Sequence, residues 1–283
     1  MTELRERLAS SGHRFEIMGV VNVTPDSFSD GGQFETTTAA VDRGVELVDA
    51  GAEIVDIGGE STRPGSRGID AETELSRVVP VITGLLDRRP DALVSIDTSK
   101  PDVARAALDA GAVLVNDVTA GGSAGMFELV AERGAAIALM HMRGQPRTMQ
   151  KDTRYDDVVE EVRSYLVERA VAAVAAGVNE RAIFIDPGIG FGKDLEGNLA
   201  LLRGLPRLAD TGFSLIVGTS RKSFLGLITG APVDQRVSAT LASLIPVLAV
   251  DTAVVRVHDV KDVVHFRGVV EALKLGRCEL KYG

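Results

Sequence analysis

The chain has 283 residues, a formal net charge of −9 and 45% hydrophobic residues, enough apolar material for one large core. The acidic balance excludes a generally basic nucleic-acid-binding surface, and a single cysteine, Cys278, excludes an internal disulfide or a cysteine metal cluster. No apolar run reaches the roughly 18 residues that would span a bilayer, and residues 1–14 lack the apolar centre of a signal peptide, so the expectation is a soluble, cytoplasmic protein.

Short apolar runs recur along the chain, each followed by a turn and an amphipathic segment. The predicted strands are Ile17–Val21, Ile54–Ile57, Leu93–Ile96, Leu114–Val115, Ile137–Met140, Ile183–Ile185, Leu215–Val217 and Val254–Val257. The predicted helices are Thr38–Ala50, Glu72–Asp87, Pro101–Ala110, Met126–Arg133, Tyr155–Ala176, Leu195–Leu208, Ser238–Ala249 and Val260–Leu275. Gly51, Gly111, Gly134 and Gly177 stand just past four of these helices, where a left-handed cap costs least. Ser99-Lys100-Pro101 reads as an N-cap followed by proline in the first turn.

Strand–helix alternation without a hairpin signal means parallel strands. Eight repeats favour a closed (β/α)8 TIM barrel, an α/β fold, over an open doubly wound sheet. Aromatic residues are only 4% and Trp is absent, so the core draws on Val, Leu, Ile and Ala, as a doubly covered parallel sheet does. Such a barrel uses ~250 residues, which leaves a single domain over about 15–276 and a short N-terminal extension.

The ends of the strands carry polar groups in series: Asn22, then Gly58-Gly59-Glu60, Asp97, Asn116-Asp117, His141, Asp186, Gly218-Thr219-Ser220-Arg221-Lys222 and Arg256-Val257-His258-Asp259. A lone Asn or Asp after a strand is most often a turn former, and Asp117 fits that role. The full series instead converges on one mouth, the face where these barrels keep their active sites. Asp97, Asn116 and Asp186 suit the donor edge of a nitrogen heterocycle. Lys222, Arg256 and His258, beside Gly218 and Ser220, are placed opposite them in barrel order and suit a phosphate or pyrophosphate. Arg63 adds a cation from the loop after the second strand. The glycines of Asp186–Lys193 have neither dinucleotide nor P-loop spacing; they read as a tight turn that lets a flat ligand approach, with Phe191 as a wall. No His/Cys/Asp spacing points to a structural metal, and His13 and His265 read as surface or structural residues.

Eight blocks of sequence make these residues familiar: MGVVNVTPDSFSDGG (Met18–Gly32), DIGGESTRPG (Asp56–Gly65), SIDTSKP (Ser95–Pro101), VNDV (Val115–Val118), LMHMRGQPRTMQ (Leu139–Gln150), DPGIGFGK (Asp186–Lys193), GTSRKSFLG (Gly218–Gly226) and VRVHDV (Val255–Val260). In this order the chain closely resembles the dihydropteroate synthases. The resemblance implies condensation of 6-hydroxymethyl-7,8-dihydropterin pyrophosphate with para-aminobenzoate, giving 7,8-dihydropteroate and pyrophosphate. It implies that Asp97, Asn116, Asp186 and Lys222 hold the pterin, with Met140 and Phe191 packed around it. Asn22, Arg63, Arg256 and His258 would serve the pyrophosphate, and Asn22 would also ligate Mg2+. Phe28, Thr62, Pro64, Ser220 and Lys222 would shape the para-aminobenzoate pocket, for which sulfonamides would compete. Asp97, Arg63, Lys222, Arg256 and His258 are the expected catalytic residues, and a homodimer through C-terminal barrel helices is the expected assembly.

Two rivals share parts of this pattern. A pterin-binding methyltransferase on the same barrel would not need the Ser-Arg-Lys and Arg-x-His groups. A noncatalytic pterin-binding paralogue would be expected to lose Asn22, Arg63 or His258, and all three are present. Asp251-Thr252, where the resembled family commonly has Gly-Ala, is a change expected to touch packing rather than catalysis.

Overall fold

A computed structural model of the protein describes residues 12–24, 33–61, 65–66, 68–145 and 147–275. Phe28, Thr62, Arg63, Pro64 and Cys278 lie outside the described residues. The strands are β1 (Glu16–Asn22), β2 (Ile54–Gly58), β3 (Leu93–Asp97), β4 (Leu114–Asp117), β5 (Ala136–Met140), β6 (Ile183–Asp186), β7 (Ser214–Gly218) and β8 (Ala253–Val257). They pair in parallel in chain order, and β8 closes onto β1. The open doubly wound sheet is therefore excluded.

Alternation along the strands divides the apolar residues into two cores. Outward positions such as Val55, Ile57, Val94, Ile96, Ile137 and Leu139 pack under the helices. Inward positions Met18, Ile54, Leu93, Leu114, Ala138, Phe184, Ile216 and Val254 fill the barrel itself. Both faces of each strand are covered, which is why the sequence shows continuous apolar runs rather than alternation. Phe184 is 1% exposed, and burying a ring of that size stabilises by ~1.5–3 kcal/mol.

The helices are α1 (Gln33–Asp49), α2 (Ala71–Arg88), α3 (Pro101–Asp109), α4 (Met126–Arg133), α5 (Val158–Ala175), α6 (Leu195–Arg203), α7 (Leu205–Ala209), α8 (Ser223–Thr229), α9 (Val237–Ser243) and α10 (Val260–Leu275). Asp70 caps α2 by accepting from Thr73 N at 2.7 Å, and Asp157 caps α5 through Val159 N and Glu160 N. The four expected cap glycines all take positive φ.

Several of the helix expectations need revision; α1, for one, begins at Gln33 rather than Thr38. The residue before α3 is Lys100, with no side-chain cap; Ser99 does not serve, and Thr98 Oγ1 accepts from Lys100 N at 3.2 Å instead. The predicted helix Leu195–Leu208 divides at Gly204, because Pro206 in the next turn supplies no N–H to continue the ladder. Pro246 acts likewise within Ser238–Ala249, where α9 gives way to a 3-10 turn over Ile245–Ala249. Helix α5 begins at Val158 rather than Tyr155, and α8 is an addition, because its short apolar stretch reads in sequence as part of the loop after the seventh strand.

Candidate active site

The parity that fills the barrel with Ile54, Leu93, Leu114, Phe184 and Val254 places Asp56, Ser95, Asn116, Asp186 and Arg256 on the same inward face, two residues further along their strands. Asp97 and Gly58 lie one layer higher. Register aligns Asn22 with Gly58, Gly58 with Asp97 and Asp97 with Asn116 across four strands. Met140 stands beside Asp186, and Gly218 beside Arg256. Strand pairing thus gathers, at one mouth, groups that are far apart in sequence. Asp117 has the opposite parity. Its carboxylate accepts from Thr119 N at 2.7 Å and Gly121 N at 2.9 Å, so it is a turn residue as expected.

Arg256 sits at the centre of the mouth. Its Nε donates to Asp56 Oδ2 at 2.6 Å and its Nη2 to Asp97 Oδ2 at 2.7 Å. Burial works against the guanidinium charge, but Asp56 and Asp97 outweigh it and hold the pKa above its ordinary value. This corrects one expectation: the cations are not segregated across the barrel from the acids, because Arg256 is long enough to span to β2 and β3. Asp56, which is fully buried, is absent from the residues that the strand ends single out. Its inward parity with Ile54 is the signal that could have found it.

The acids are held in a strained electrostatic balance. The Asp97 carboxyl is pushed up to about 7, chiefly by burial; Arg256 opposes the shift, and Asp56, Glu74 and Asp117 add to it. Asp186 is raised by burial, against Lys222, the Gly188 N–H, Arg256 and Lys193. The Lys222 ammonium is pushed down to about 8, mainly by burial, with Asp186 opposing and Arg256 adding to the shift. Desolvation of this kind is characteristic of groups poised to change charge on binding.

The turn after β6 is gripped by side chains. Asp186 Oδ1 accepts from Gly188 N at 2.7 Å. Lys193 Nζ donates to Gly188 O and Phe191 O, each at 2.9 Å, and to His141 O at 3.2 Å. Lys222 Nζ donates to Ile189 O, Gln150 Nε2 to Gly190 O at 3.0 Å, and Tyr155 Oη to Gly192 O at 2.9 Å. Gly188 is required here: its φ is +64°, and a Cβ would lie 1.9 Å from His141 O. The close approach that these glycines permit is therefore first to β5 and Lys222. Lys193 is 2% exposed, and it too is not singled out by the sequence pattern. Burial lowers its pKa well below that of a free lysine and drives the His141 imidazole to about 3, so His141 stays neutral, its Nδ1 2.9 Å from Lys193 Nζ. Phe191 lies beside Lys222, whose ammonium is 4.7 Å from its ring centroid.

On the other flank, His258 Nδ1 lies 3.0 Å from Ser220 Oγ, which also accepts from His258 N at 3.2 Å. Arg221, between Ser220 and Lys222, turns away to pair with Asp259 (Nε to Oδ2 3.0 Å), bracing the loops after β7 and β8 against each other. Met140 is buried at the mouth, and Asn22 is half-buried at the end of β1. Glu60 and Glu74 share the Lys100 ammonium, which ties the loop after β2 to the start of α3. His13 pairs with Glu271 at 3.2 Å, and His265 is exposed, both away from the mouth. Asp251 is at the opposite face of the barrel, 98% exposed and 3.7 Å from Arg14.

Among the described residues there is no group of three His, Cys, Asp or Glu side chains that could cage a metal. The donor set fits Mg2+ in another mode: one hard amide oxygen, from Asn22, beside a mouth that would hold phosphate oxygens and water. Mg2+ commonly binds through one or two protein oxygens and the phosphates of its substrate.

A closed (β/α)8 barrel with buried carboxylates and cations at the C-terminal ends of its strands defines an enzyme that binds a polar heterocycle and an anion together. Residues 18–258 match the family described as pterin binding enzyme. The dihydropteroate synthase of Escherichia coli (strain K12) is 42% identical over 266 residues, covering 94% of each chain. Two solved structures of the Xanthomonas albilineans dihydropteroate synthase superpose closely. The one with 4-aminobenzoic acid has a TM-score of 0.86 and 45% identity, and the one with 7,8-dihydropteroate has a TM-score of 0.82 and 42% identity; each covers 92% of this chain and 93% of the other. The chain belongs to the dihydropteroate synthases of the pterin-binding enzyme family.

Proposed function

We infer that the chain condenses 6-hydroxymethyl-7,8-dihydropterin pyrophosphate with para-aminobenzoate, forming 7,8-dihydropteroate and releasing pyrophosphate. The observation that carries this is the meeting of Asp97, Asn116 and Asp186 with Arg256 and Lys222 in one mouth of a family member. In the reaction the allylic-type C–O bond breaks with its electron pair leaving on the pyrophosphate. The aniline nitrogen then bonds to the dihydropterin cation and loses its proton.

Each side chain has a part in that sequence. Asp97, Asn116, Asp186 and Lys222 hold the pterin, with Met140 and Phe191 against its faces. Arg256 and His258 meet the departing pyrophosphate, since charge stabilisation rather than a general base does the initial work. The Arg256 guanidinium has five N–H donors, more than its two bonds to Asp56 and Asp97 use. Asp97 then stabilises the positive ring. A cation forming beside the Asp97 carboxyl, raised to about 7 chiefly by burial, draws it toward the ionised form, because a nearby opposite charge lowers a carboxyl pKa. Asn22 would hold Mg2+, which supplies charge neutralisation on the pyrophosphate when bound. Ser220 and Lys222, with Phe28, Thr62 and Pro64, would shape the para-aminobenzoate pocket. Arg63 would reach the pyrophosphate as its loop closes, and closure would keep water from the cation.

The decisive assay supplies the pterin pyrophosphate with Mg2+ and follows pyrophosphate release with and without para-aminobenzoate. Formation of dihydropteroate is expected, and none at micromolar protein would overturn the reading. Asp186→Ala is expected to abolish pterin binding in calorimetry. Arg63→Ala is expected to lower kcat more than pterin affinity; unchanged turnover would remove it from the mechanism.

Among the described residues no helix is long and apolar enough to cross a membrane, and a cytoplasmic setting fits a chain with one cysteine. The proposed homodimer finds support in exposed apolar side chains on the later helices and turns: Leu227, Ile228, Val233, Ile245, Val269 and Leu273.

A further inference from the structure

We propose that Asp56 is a specificity-determining positioning residue: it fixes the Asn116 carboxamide so that only its oxygen faces the heterocycle. This rests on the pterin reading of the same site. Asp56 lies on β2, one inward position below Gly58, and is fully buried. Its Oδ2 accepts from Asn116 Nδ2 at 3.1 Å and from Arg256 Nε at 2.6 Å.

An asparagine side chain alone is ambidentate, able to offer either its oxygen or its NH2 to a ligand. An ionised carboxylate has no such freedom, because it only accepts. With the Arg256 guanidinium bonded to the same oxygen, Asp56 serves as an acceptor, and the amide next to it must turn its NH2 inward. Asn116 Oδ1 is left as the atom presented upward, alongside the carboxylates of Asp97 and Asp186. Three acceptors then face the mouth from β3, β4 and β6, beside the donors Lys222 and Arg256, and where they meet the heterocycle they select donors on its edge. An edge carrying an acceptor at that point would leave two buried lone pairs facing each other, which is the kind of mismatch that discriminates most strongly.

Two further atoms belong to this floor. Asp56 Oδ1 and Ser95 Oγ are both buried without a hydrogen-bond partner among the described residues. They stand on directly paired positions of β2 and β3. Both share the inward parity of Asn116 and Asp186, one layer below Gly58 and Asp97.

The test compares 6-hydroxymethylpterin with 6-hydroxymethyllumazine, in which a carbonyl acceptor replaces the 2-amino donor and ring N1 becomes an N–H donor. Binding is measured by calorimetry for the intact protein and for Asp56→Asn. The substitution is near-isosteric, but its carboxamide can donate to Asn116 Oδ1 and so permit the flipped orientation. The intact protein is expected to prefer the pterin by at least about tenfold, and Asp56→Asn to reduce that ratio several-fold while both ligands still bind. An equal loss of affinity for both, with the ratio kept, would reduce Asp56 to a structural role and overturn the proposal. An unchanged ratio with unchanged affinities would overturn it too. Should Asp56→Asn not fold, as judged by its thermal transition, Asp56→Ser carries the same comparison, because a hydroxyl can both donate to and accept from the amide. Failure of the intact protein to bind pterin at all would overturn the functional reading and this proposal together, and is distinct from a kept ratio.

Discussion

The barrel has a buried arginine network at each end, and the two are built differently. At the C-terminal mouth, Arg256 bridges Asp56 and Asp97, and its side chain remains 22% exposed. At the opposite face, Arg267 is 5% exposed and bonds to Phe15 O at 3.0 Å and to Glu53 at 3.1 and 2.9 Å, with Glu16 at 4.0 Å. The lower network clamps the start of β1 onto α10 and the turn before β2. The upper one joins residues of three strands but leaves donors and acceptors facing the mouth. The same residue chemistry therefore ties elements together at one end of the barrel and faces the mouth at the other. What separates them is where they face: the upper network lies at the mouth, the lower one against the start of β1 and α10.

A crossed pair of variants is the strongest way to break this comparison. Arg256→Met is expected to lower kcat by about 10²–10³-fold and also to cost about 3–5 kcal/mol of stability, because it leaves the fully buried Asp56 without its cationic partner. Arg267→Met is expected to leave kcat per folded molecule unchanged and to destabilise the protein by about 1–3 kcal/mol, since it removes the bonds of a 5% exposed guanidinium to Phe15 O and to Glu53. Steady-state kinetics and urea unfolding read the two effects. If both variants lost stability equally and activity equally, the distinction between the ends would collapse.

The pH profile sharpens the upper end. Asp97 acts as the carboxylate, so kcat/KM is expected to rise as pH increases through about 7. Lys222 acts as the ammonium, so kcat/KM is expected to fall as pH increases through about 8. Each limb changes activity tenfold per pH unit well beyond its pKa, and the profile for kcat/KM reports the free enzyme. Lys222→Arg is expected to remove the alkaline limb, because a guanidinium does not lose its proton in this range. A flat profile across both values would refute these assignments.

The smallest effect concerns the outer surface rather than either end. Leu273→Glu on α10 is expected to shift the protein from dimer to monomer in sedimentation velocity, while kcat changes by less than about twofold. A wild-type protein that sediments as a monomer would remove the proposed homodimer.

Much of this architecture is legible in the chain itself. All eight strands can be read from it, within about two residues at most ends, because runs buried on both faces are continuous and β-branched. The acids at their ends are visible because each arrives abruptly after an apolar run. Lys193 and Asp56 are not. Lys193 looks like the last residue of a glycine turn, and its role depends on carbonyls from two separate strand ends meeting at one ammonium. Asp56 sits inside a strand, where an acid reads as a break in the apolar run until the inward parity of β2 is known.

The sequence by itself determined the alternation, the count of strands and the set of polar strand ends. These are local properties, written in periodicity and in the residues that terminate each run. Only the tertiary structure decided which acid meets which cation. That depends on the register of closed parallel pairing and on the reach of a long side chain across the barrel. Arg256 can be placed at the mouth from its position near the end of β8, but its partners on β2 and β3 are 200 and 159 residues away. No local pattern encodes such a contact; barrel closure brings it about.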